Sequence, residues 1–384
     1  MPEPAPSLGP PVEDVDTGSP HAQVEDGIAL CLSGGGYRAM LYHAGALWRL
    51  NEVGYMPKLA RISSVSGGSI TAGSLGLAWA QLGFDAAGVA AAFVAKVVDP
   101  LRGLAARTID VGSVLRGALL PGTIGDRIAA AYRQHLYGDA TLQDLPDAPR
   151  FVINAMNVQT GSLFRFMKPA IRDWRVGQVL APRVPLARAV GASSAFPPIL
   201  SPVRLRFRPG VWAATPGATL CREPFTTDVH LSDGGVYDNL GLETAYKRYR
   251  TLLVSDGGLM MSPEDEPKSD WARHSLRVLN LIDNQVRSLR RRQLMGALLS
   301  GVRSGAFWTI ATPITGYGLP SALPVRPETT RAMAREPTRL ARLADETQER
   351  LINWGYASCD AALRRYVDDK LPAPPGFPYP HRSM

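Results

Sequence analysis

The stretch LARISSVSGGSITAG, residues 59–73, changes character twice. Ile62-Ser63-Ser64-Val65 is a short run of the kind expected for a buried strand. Gly67 and Gly68 break it, and residues 70–82 then follow a helical pattern. A strand, a sharp turn and a helix with a serine at the apex form the geometry of a nucleophile elbow. Ser66 occupies that apex. A serine there projects its hydroxyl beyond the sheet, and the helix start behind it offers free N–H groups and a partial positive charge. The usual pattern is G-x-S-x-G. Here it reads Ser64-Val65-Ser66-Gly67-Gly68, with the next-smallest residue in place of the first glycine.

Immediately upstream, residues 27–33 (GIALCLS) form a continuous apolar run of strand length, as expected for a strand covered on both faces. The loop Gly34-Gly35-Gly36-Tyr37-Arg38-Ala39 follows, and residues 40–51 read as a helix apolar almost all round, hence buried. Strand, helix and strand make a βαβ unit. The glycine loop and Ser66 should therefore emerge at the same edge of a parallel sheet.

Further along, residues 83–140 read as mainly helical. Within them, the arginine-bearing stretch 101–120 is a candidate cover or entrance for the site. Residues 150–157 and 162–167 read as a hairpin around Thr160-Gly161. Residues 185–196 read as a helix stopped by Pro197-Pro198, and 203–226 as an irregular surface hairpin. Residues 230–237 read as a strand running into Gly234-Gly235, and 252–255 as a short strand. Residues 270–300 read as a long helix exposing Arg287, Arg290, Arg291 and Arg292. Then follow a strand at 305–311, a loop at 320–337 and an amphipathic helix at 338–367. Alternating strands and helices argue a single α/β domain over 26–370 with helices on both faces of a mostly parallel sheet. A proline-rich, acidic segment at 1–25 is expected to be disordered, and a proline-rich tail, 371–384, closes the chain.

A chain of 384 residues that is 45% hydrophobic can build a large core. The net charge of +8 is spread out, and suits weak attraction to anionic surfaces, membranes included, better than nucleic-acid binding. Three cysteines, Cys31, Cys221 and Cys359, form neither a disulfide framework nor a C-x-x-C pair. A reducing compartment follows, with no structural metal. No signal peptide is visible and no apolar run reaches ~18 residues, so the expectation is a cytoplasmic protein, at most peripheral at a membrane.

An elbow serine acting on an acyl group needs a base, an oxyanion hole and a water-poor pocket. Gly34, Gly35 and Gly36 are candidate oxyanion donors, because consecutive glycines let backbone N–H groups converge on a developing negative charge. Gly67, at the elbow helix, joins them. Arg38 either adds positive charge or holds the loop. The loop also fits the dinucleotide pattern G-x-G-x-x-[GA] at Gly34, Gly36 and Ala39. The second strand, however, ends Ser63-Ser64-Val65-Ser66 with no acid for a ribose, and no Gly-Lys-[Ser/Thr] follows for a P-loop.

The base is less obvious. His21 and His381 lie in the tails, His43 inside a buried helix, and His135 on a helix without a motif. His230 precedes Asp233 at odd spacing on one strand, so the two face opposite sides. His274 alone completes the order Ser…Asp…His of an α/β-hydrolase triad, yet its surroundings read as ordinary helix. Asp233 ends a strand with glycines behind it, where its carboxylate can reach the edge from which Ser66 emerges. An aspartate near ~3.9 is a weak base, but desolvation raises its pKa and a direct Ser–Asp hydrogen bond orients the proton. Asp256, in Ser255-Asp256-Gly257-Gly258, is a look-alike at the end of another strand.

With these residues in place the sequence resembles the patatin-like phospholipase family. Four stretches in order carry the resemblance: Ser33-Gly34-Gly35-Gly36-Tyr37-Arg38, Ser64-Val65-Ser66-Gly67-Gly68, the block Ala192-Ser193-Ser194-Ala195-Phe196-Pro197-Pro198, and Asp233-Gly234-Gly235 followed by Asn239. They fall within residues 28–256. The resemblance implies a three-layer patatin-like α/β fold. It implies a Ser66–Asp233 dyad in place of a triad, with an oxyanion hole at Gly34, Gly35 and Gly36. It also implies hydrolysis of lipid acyl esters, with no cofactor, at a membrane surface. Ala39 and Ser64 stand where the family often has glycine. Two alternatives stay open: an inactive relative that holds lipid or a partner, and a Ser-Asp-His esterase using His274.

Overall fold

The computed structural model describes residues 24–109, 124–258 and 261–384. Most of the expected disordered segment, up to residue 23, lies outside them. So does the second half of the arginine-bearing stretch, from residue 110 to its end at 120.

Strand β1 (Glu25–Leu32) leads through the glycine loop into helix α1 (Gly36–Glu52). Strand β2 (Leu59–Val65) leads through the elbow into α2 (Gly67–Ala78). Both helices start within the glycines themselves, earlier than the apolar pattern suggested. Helices α3 (Asp99–Ala105) and α4 (Ile124–Tyr132) follow, then an antiparallel run of β3 (Arg150–Asn157), β4 (Ser162–Phe166), β5 (Ala170–Asp173) and β6 (Gly177–Leu180). Helix α5 (Leu186–Ser193) precedes β7 (Val203–Arg206) and β8 (Asp228–Asp233). Two short helices, α6 (Gly235–Asp238) and α7 (Glu243–Tyr246), lead to β9 (Tyr249–Asp256), the long α8 (Trp271–Leu299), β10 (Ser304–Thr309), α9 (Pro327–Arg335) and α10 (Asp345–Tyr366).

The main sheet runs β10-β9-β1-β2-β3-β4-β5-β6. Its first five strands are parallel and the remainder antiparallel. The sheet is thus mixed, with the expected parallel order confined to the half that carries the glycine loop and the elbow. Alternation along β1 gives the layers. Leu30 and Leu32 belong to a core shared with α1, α2 and α10, while Ala29 and Cys31 belong to a second core with Leu240, Leu242, Ala245 and Leu294. Successive strand side chains point to opposite faces, so helices cover both sides of the sheet.

Several expectations are corrected. Residues 203–226 do not pair with themselves: β7 pairs with β8, and a long loop joins them. The stretch 320–337, read as loop, contains α9, with Pro327 at its first position, where a missing N–H costs nothing. Helix α10 is buried along nearly its whole length from Gln348 to Arg364. It packs backbone to backbone on α1: a Cβ at Gly45 would lie 1.9 Å from the Ile352 carbonyl oxygen, and one at Gly355 would lie 1.8 Å from that of Tyr42. The closing segment is docked on these helices. Asn353 exchanges hydrogen bonds with the Tyr379 backbone at 2.9 and 3.0 Å, and the Tyr379 ring lies between Trp48 and Arg102.

Candidate active site

Two strands reach one point from opposite directions. β2 runs parallel to β3 and ends with Val65 paired to Asn154. β8 runs antiparallel to β3 and ends with Asp233 paired to Ala155. The two partners are adjacent residues of β3, so the C-terminal ends of β2 and β8 meet head to head along one flank of it. Ser66 follows Val65 directly.

Ser66 has φ +50°, a left-handed conformation that a non-glycine residue rarely adopts. The surroundings hold it there. Its N–H donates to Ser193 Oγ at 3.0 Å, Ser193 Oγ donates to the Asn154 carbonyl at 2.6 Å, and Ser193 and Ser69 hydroxyls lie 2.9 Å apart. Ser69 Oγ also reaches Ser64 Oγ at 3.0 Å. The serine at the first elbow position thus joins a buried hydroxyl network. Ser193, from the 192–198 block, has a role that the sequence alone did not disclose: it fixes the elbow backbone. The elbow helix also needs glycine to approach the first loop. A Cβ at Gly67 would lie 2.2 Å from the Gly36 carbonyl oxygen, and one at Gly68 2.4 Å from that of Leu32. Ala39 fits where a glycine is usual because Gly35 and Gly257, both without side chains, pack against it.

Asp233 is 2% exposed and Ser66 8%. Burial raises the Asp233 carboxyl from its ordinary range to about 7, against the opposing pull of the Gly235 N–H and the Ser66 hydroxyl. The Gly235 N–H donates to Oδ1 at 2.7 Å. Asp283 on α8 adds a smaller upward push. The look-alike Asp256 is also buried, which disfavours its charge, but Arg291 and Arg287 outweigh burial and hold it down at about 2. Arg291 Nε donates to it at 2.8 Å. Asp233 is a carboxylate that can exchange a proton near neutrality. Asp256 is a permanent anion in an ion pair.

The glycine loop divides its duties. The Gly34 N–H, expected among the oxyanion donors, is engaged by Asn239, through the side-chain oxygen at 3.1 Å and the carbonyl at 3.0 Å. Gly34 instead ties the loop to the D-G-G turn, and a Cβ there would lie 2.3 Å from Asn239 Oδ1 and 3.1 Å from Ser66 Cβ. The N–H groups of Gly35, Gly36 and Gly67 find no acceptor among the described residues. They sit at the starts of α1 and α2, where backbone donors lack intrahelical partners. Arg38 is spent on contacts outside the glycine loop. It is fully buried, with Nε donating to the Gly257 carbonyl at 2.9 Å and its other nitrogens to Glu336 and Thr338.

No histidine enters this site among the described residues. His274 lies on the exposed first turns of α8, and no side-chain contact ties it to Ser66 or Asp233. His43 is a core residue: the Ser33 carbonyl can only accept, so Nε2 donates to it at 2.9 Å and Nδ1 takes the Ser255 hydroxyl at 2.8 Å. Burial lowers its pKa to about 4 and keeps it neutral. Three cavities, of about 570, 800 and 1040 Å³, are lined by other residues. No group of three or more potential metal ligands occurs among the described residues, and none of their helices is long and apolar enough to cross a membrane.

No curated protein matches the chain. Among solved structures it is similar to human GIVD cytosolic phospholipase A2, at 12% identity and a TM-score of 0.49, over 87% of this chain and 60% of that one. The same human protein in complex with Methyl gamma-Linolenyl Fluorophosphonate matches at 14% and 0.47, over 88% and 57%. VipD from Legionella pneumophila matches at 15% and 0.35, over 88% and 66%. The chain therefore spans about 60% of the human protein's length. The family model for patatin-like phospholipase matches residues 30–246, more than half of the 384 and inclusive of Gly34, Ser66 and Asp233. By that match the chain belongs to the patatin-like phospholipase family.

Proposed function

We propose that the protein hydrolyses acyl esters of lipids, with Ser66 as nucleophile and Asp233 as its base. One observation carries the reading: β2 and β8 end on adjacent residues of β3, which brings Ser66 up to a buried carboxyl whose pKa burial has raised to about 7 and on which the serine hydroxyl acts. Proton transfer from serine to carboxylate is hardest when the acid is strong. A carboxyl near neutrality reduces that mismatch, yet it is still substantially ionised at physiological pH.

In this reading the Ser66 oxygen attacks the ester carbonyl as Asp233 takes its proton. Charge develops on the carbonyl oxygen, where the unengaged N–H groups of Gly35, Gly36 and Gly67 offer hydrogen bonds at two helix starts. The intermediate collapses, and the leaving alcohol takes the proton from Asp233. Water then attacks the acyl-enzyme with Asp233 again as base, the acyl–Oγ bond breaks as Asp233 returns the proton to Ser66, and the fatty acid is released. Gly34 acts on the loop and Arg38 on contacts outside it, neither on the ester. The family to which the chain belongs supports a lipid as the acyl donor.

The test is labelling with a serine-reactive fluorophosphonate, alongside fatty-acid release from a panel of phospholipid, lysophospholipid and short-chain ester. Wild type is expected to label and to hydrolyse, and Ser66→Ala to lose both. Hydrolysis that persists in Ser66→Ala overturns the assignment.

A further inference from the structure

The arginines expected to form an exposed basic face on α8 are largely committed elsewhere. Arg287 is buried, Arg290 pairs with Glu243 at 3.0 Å, and Arg291 holds Asp256. Another group of arginines lies on the far side of the Asp233-bearing strand. β7 and the residues after it read Val203-Arg204-Leu205-Arg206-Phe207-Arg208. Val203 and Leu205 are buried and the arginines are exposed, as a two-residue period requires. These arginines line a groove of about 1040 Å³ together with Arg183 and Arg188, against the single acid Asp126.

Two of the five are neutralised, Arg188 by Asp126 and Arg204 by Asp228 at the neighbouring strand. Arg183 is exposed and helps hold Asp144 ionised. The side chains of Arg206 and Arg208 have no ion pair or hydrogen bond among the described residues. Like charges at alternate positions of one strand repel, and the fold gains no ion pair from Arg206 or Arg208 to offset this. An external anion is what such a row can recover energy from. The groove wall also presents apolar surface: Val211 is 39% exposed, Pro185 is exposed and Phe207 is half-buried. A soluble phosphate would gain nothing from these side chains. Arginines flanked by partly exposed apolar residues are the make-up of a surface that lies on an anionic bilayer.

We propose that Arg204, Arg206 and Arg208, with the apolar rim at Phe207 and Val211, seat the protein on membranes containing anionic phospholipid. The β7–β8 register pairs Arg204 with His230 and Arg206 with Asp228. At ~3.3 Å per residue these lie about 10 and 17 Å from Asp233 along the strand. A bilayer held at this groove is thus near the dyad. This inference rests on the lipid-hydrolase reading for its purpose, but its test does not.

The full chain and Arg206→Glu/Arg208→Glu are sedimented with vesicles of phosphatidylcholine alone and of phosphatidylcholine with phosphatidylglycerol. Hydrolysis of a soluble short-chain ester and the melting temperature are followed in parallel. Wild type is expected to bind only the anionic vesicles and to be released by high salt. Each arginine near such a surface contributes roughly a fivefold factor, so removing two should weaken binding by about 25-fold or more. Ester hydrolysis and melting temperature should be unchanged, since both side chains are exposed. Anionic-vesicle binding by the double variant equal to wild type overturns the proposal. So does protection of wild type against melting by inorganic phosphate without any vesicle binding, which would assign the groove to a free anion. Vesicle binding through these arginines by a protein that hydrolyses no ester would leave the groove standing and remove the hydrolase reading.

Discussion

At the residue scale, the two buried aspartates face the same desolvation and answer it oppositely, because only one has cationic neighbours. Asp256 beside Arg291 and Arg287 stays charged, whereas Asp233, with one N–H and one hydroxyl, is left near 7. The sign of the stability effect follows. A carboxyl whose folded pKa lies above its unfolded value makes folding less favourable as pH rises from about 4 to about 7, because the folded state binds the extra proton. The rise to about 7 corresponds to at most about 4 kcal/mol above pH 7. Asp233→Asn removes this cost while keeping much of the shape. The variant should melt higher than wild type at pH 8, with the gap closing by pH 4. It should also lose ester hydrolysis by a factor of about 10² or more. In wild type, kcat/KM should rise with pH through about 7, as Asp233 becomes ionised. A variant no more stable than wild type at pH 8, or a wild-type rate flat from pH 5 to 8, would count against a proton-accepting Asp233.

At the element scale, the glycine loop and the elbow were readable because their signals are local. An apolar run, a cluster of glycines and a new helical period lie within a few residues of one another, and only glycine permits the close approaches at Gly67 and Gly68. What was not readable is what depends on distant partners. The Gly34 N–H is engaged by Asn239, 205 positions along the chain, so the loop's division of duties could not be found from the loop. β5 and β6, four residues each, are too short to display a period. The burial of α10 is likewise non-local: it follows from α1 accepting it through Gly45 and Gly355, and neither glycine sits at a turn. Their role gives a sharp expectation. Gly355→Ala places a methyl where a carbonyl oxygen stands, so the two helices must separate along their whole contact. The cost should be about 3 kcal/mol or more, despite the better helix propensity of alanine. Alanine at the exposed Gly296 of α8, where an added Cβ meets nothing within 4 Å, should be neutral or stabilising. Chemical denaturation of both variants checks the contrast, and equal stabilities would show that the helix contact relaxes freely.

At the scale of the whole molecule, α1 is the element on which the first and last parts of the chain converge. Its N-terminus offers the N–H groups proposed for the oxyanion, and its buried length carries α10. The closing proline-rich segment, set apart by composition alone, straps that pair together. Arg49 of α1 donates to the Pro372 carbonyl and to Asp360 of α10, Asn353 of α10 is satisfied by the Tyr379 backbone, and Glu349 meets His381 at 3.0 Å and Arg382. Proline-rich composition removes periodicity and so hides docking from a sequence reading, but it also lowers the entropy lost when the segment is fixed. Deletion of residues 372–384 would leave buried Asn353 with unmade hydrogen bonds and uncover Trp48. A buried polar group left unpaired costs about 1–3 kcal/mol, and the lost aromatic packing adds to it. The truncated chain should therefore melt several degrees lower and lose hydrolysis at temperatures where the full chain retains it. Because α1 and the elbow are intact, its kcat/KM well below that transition should equal that of the full chain. A truncation that leaves the melting temperature unchanged would mean the strap rests on the helices without holding them. One that lowers kcat/KM while the protein is still folded would mean that the closing segment reaches the proposed site through α1.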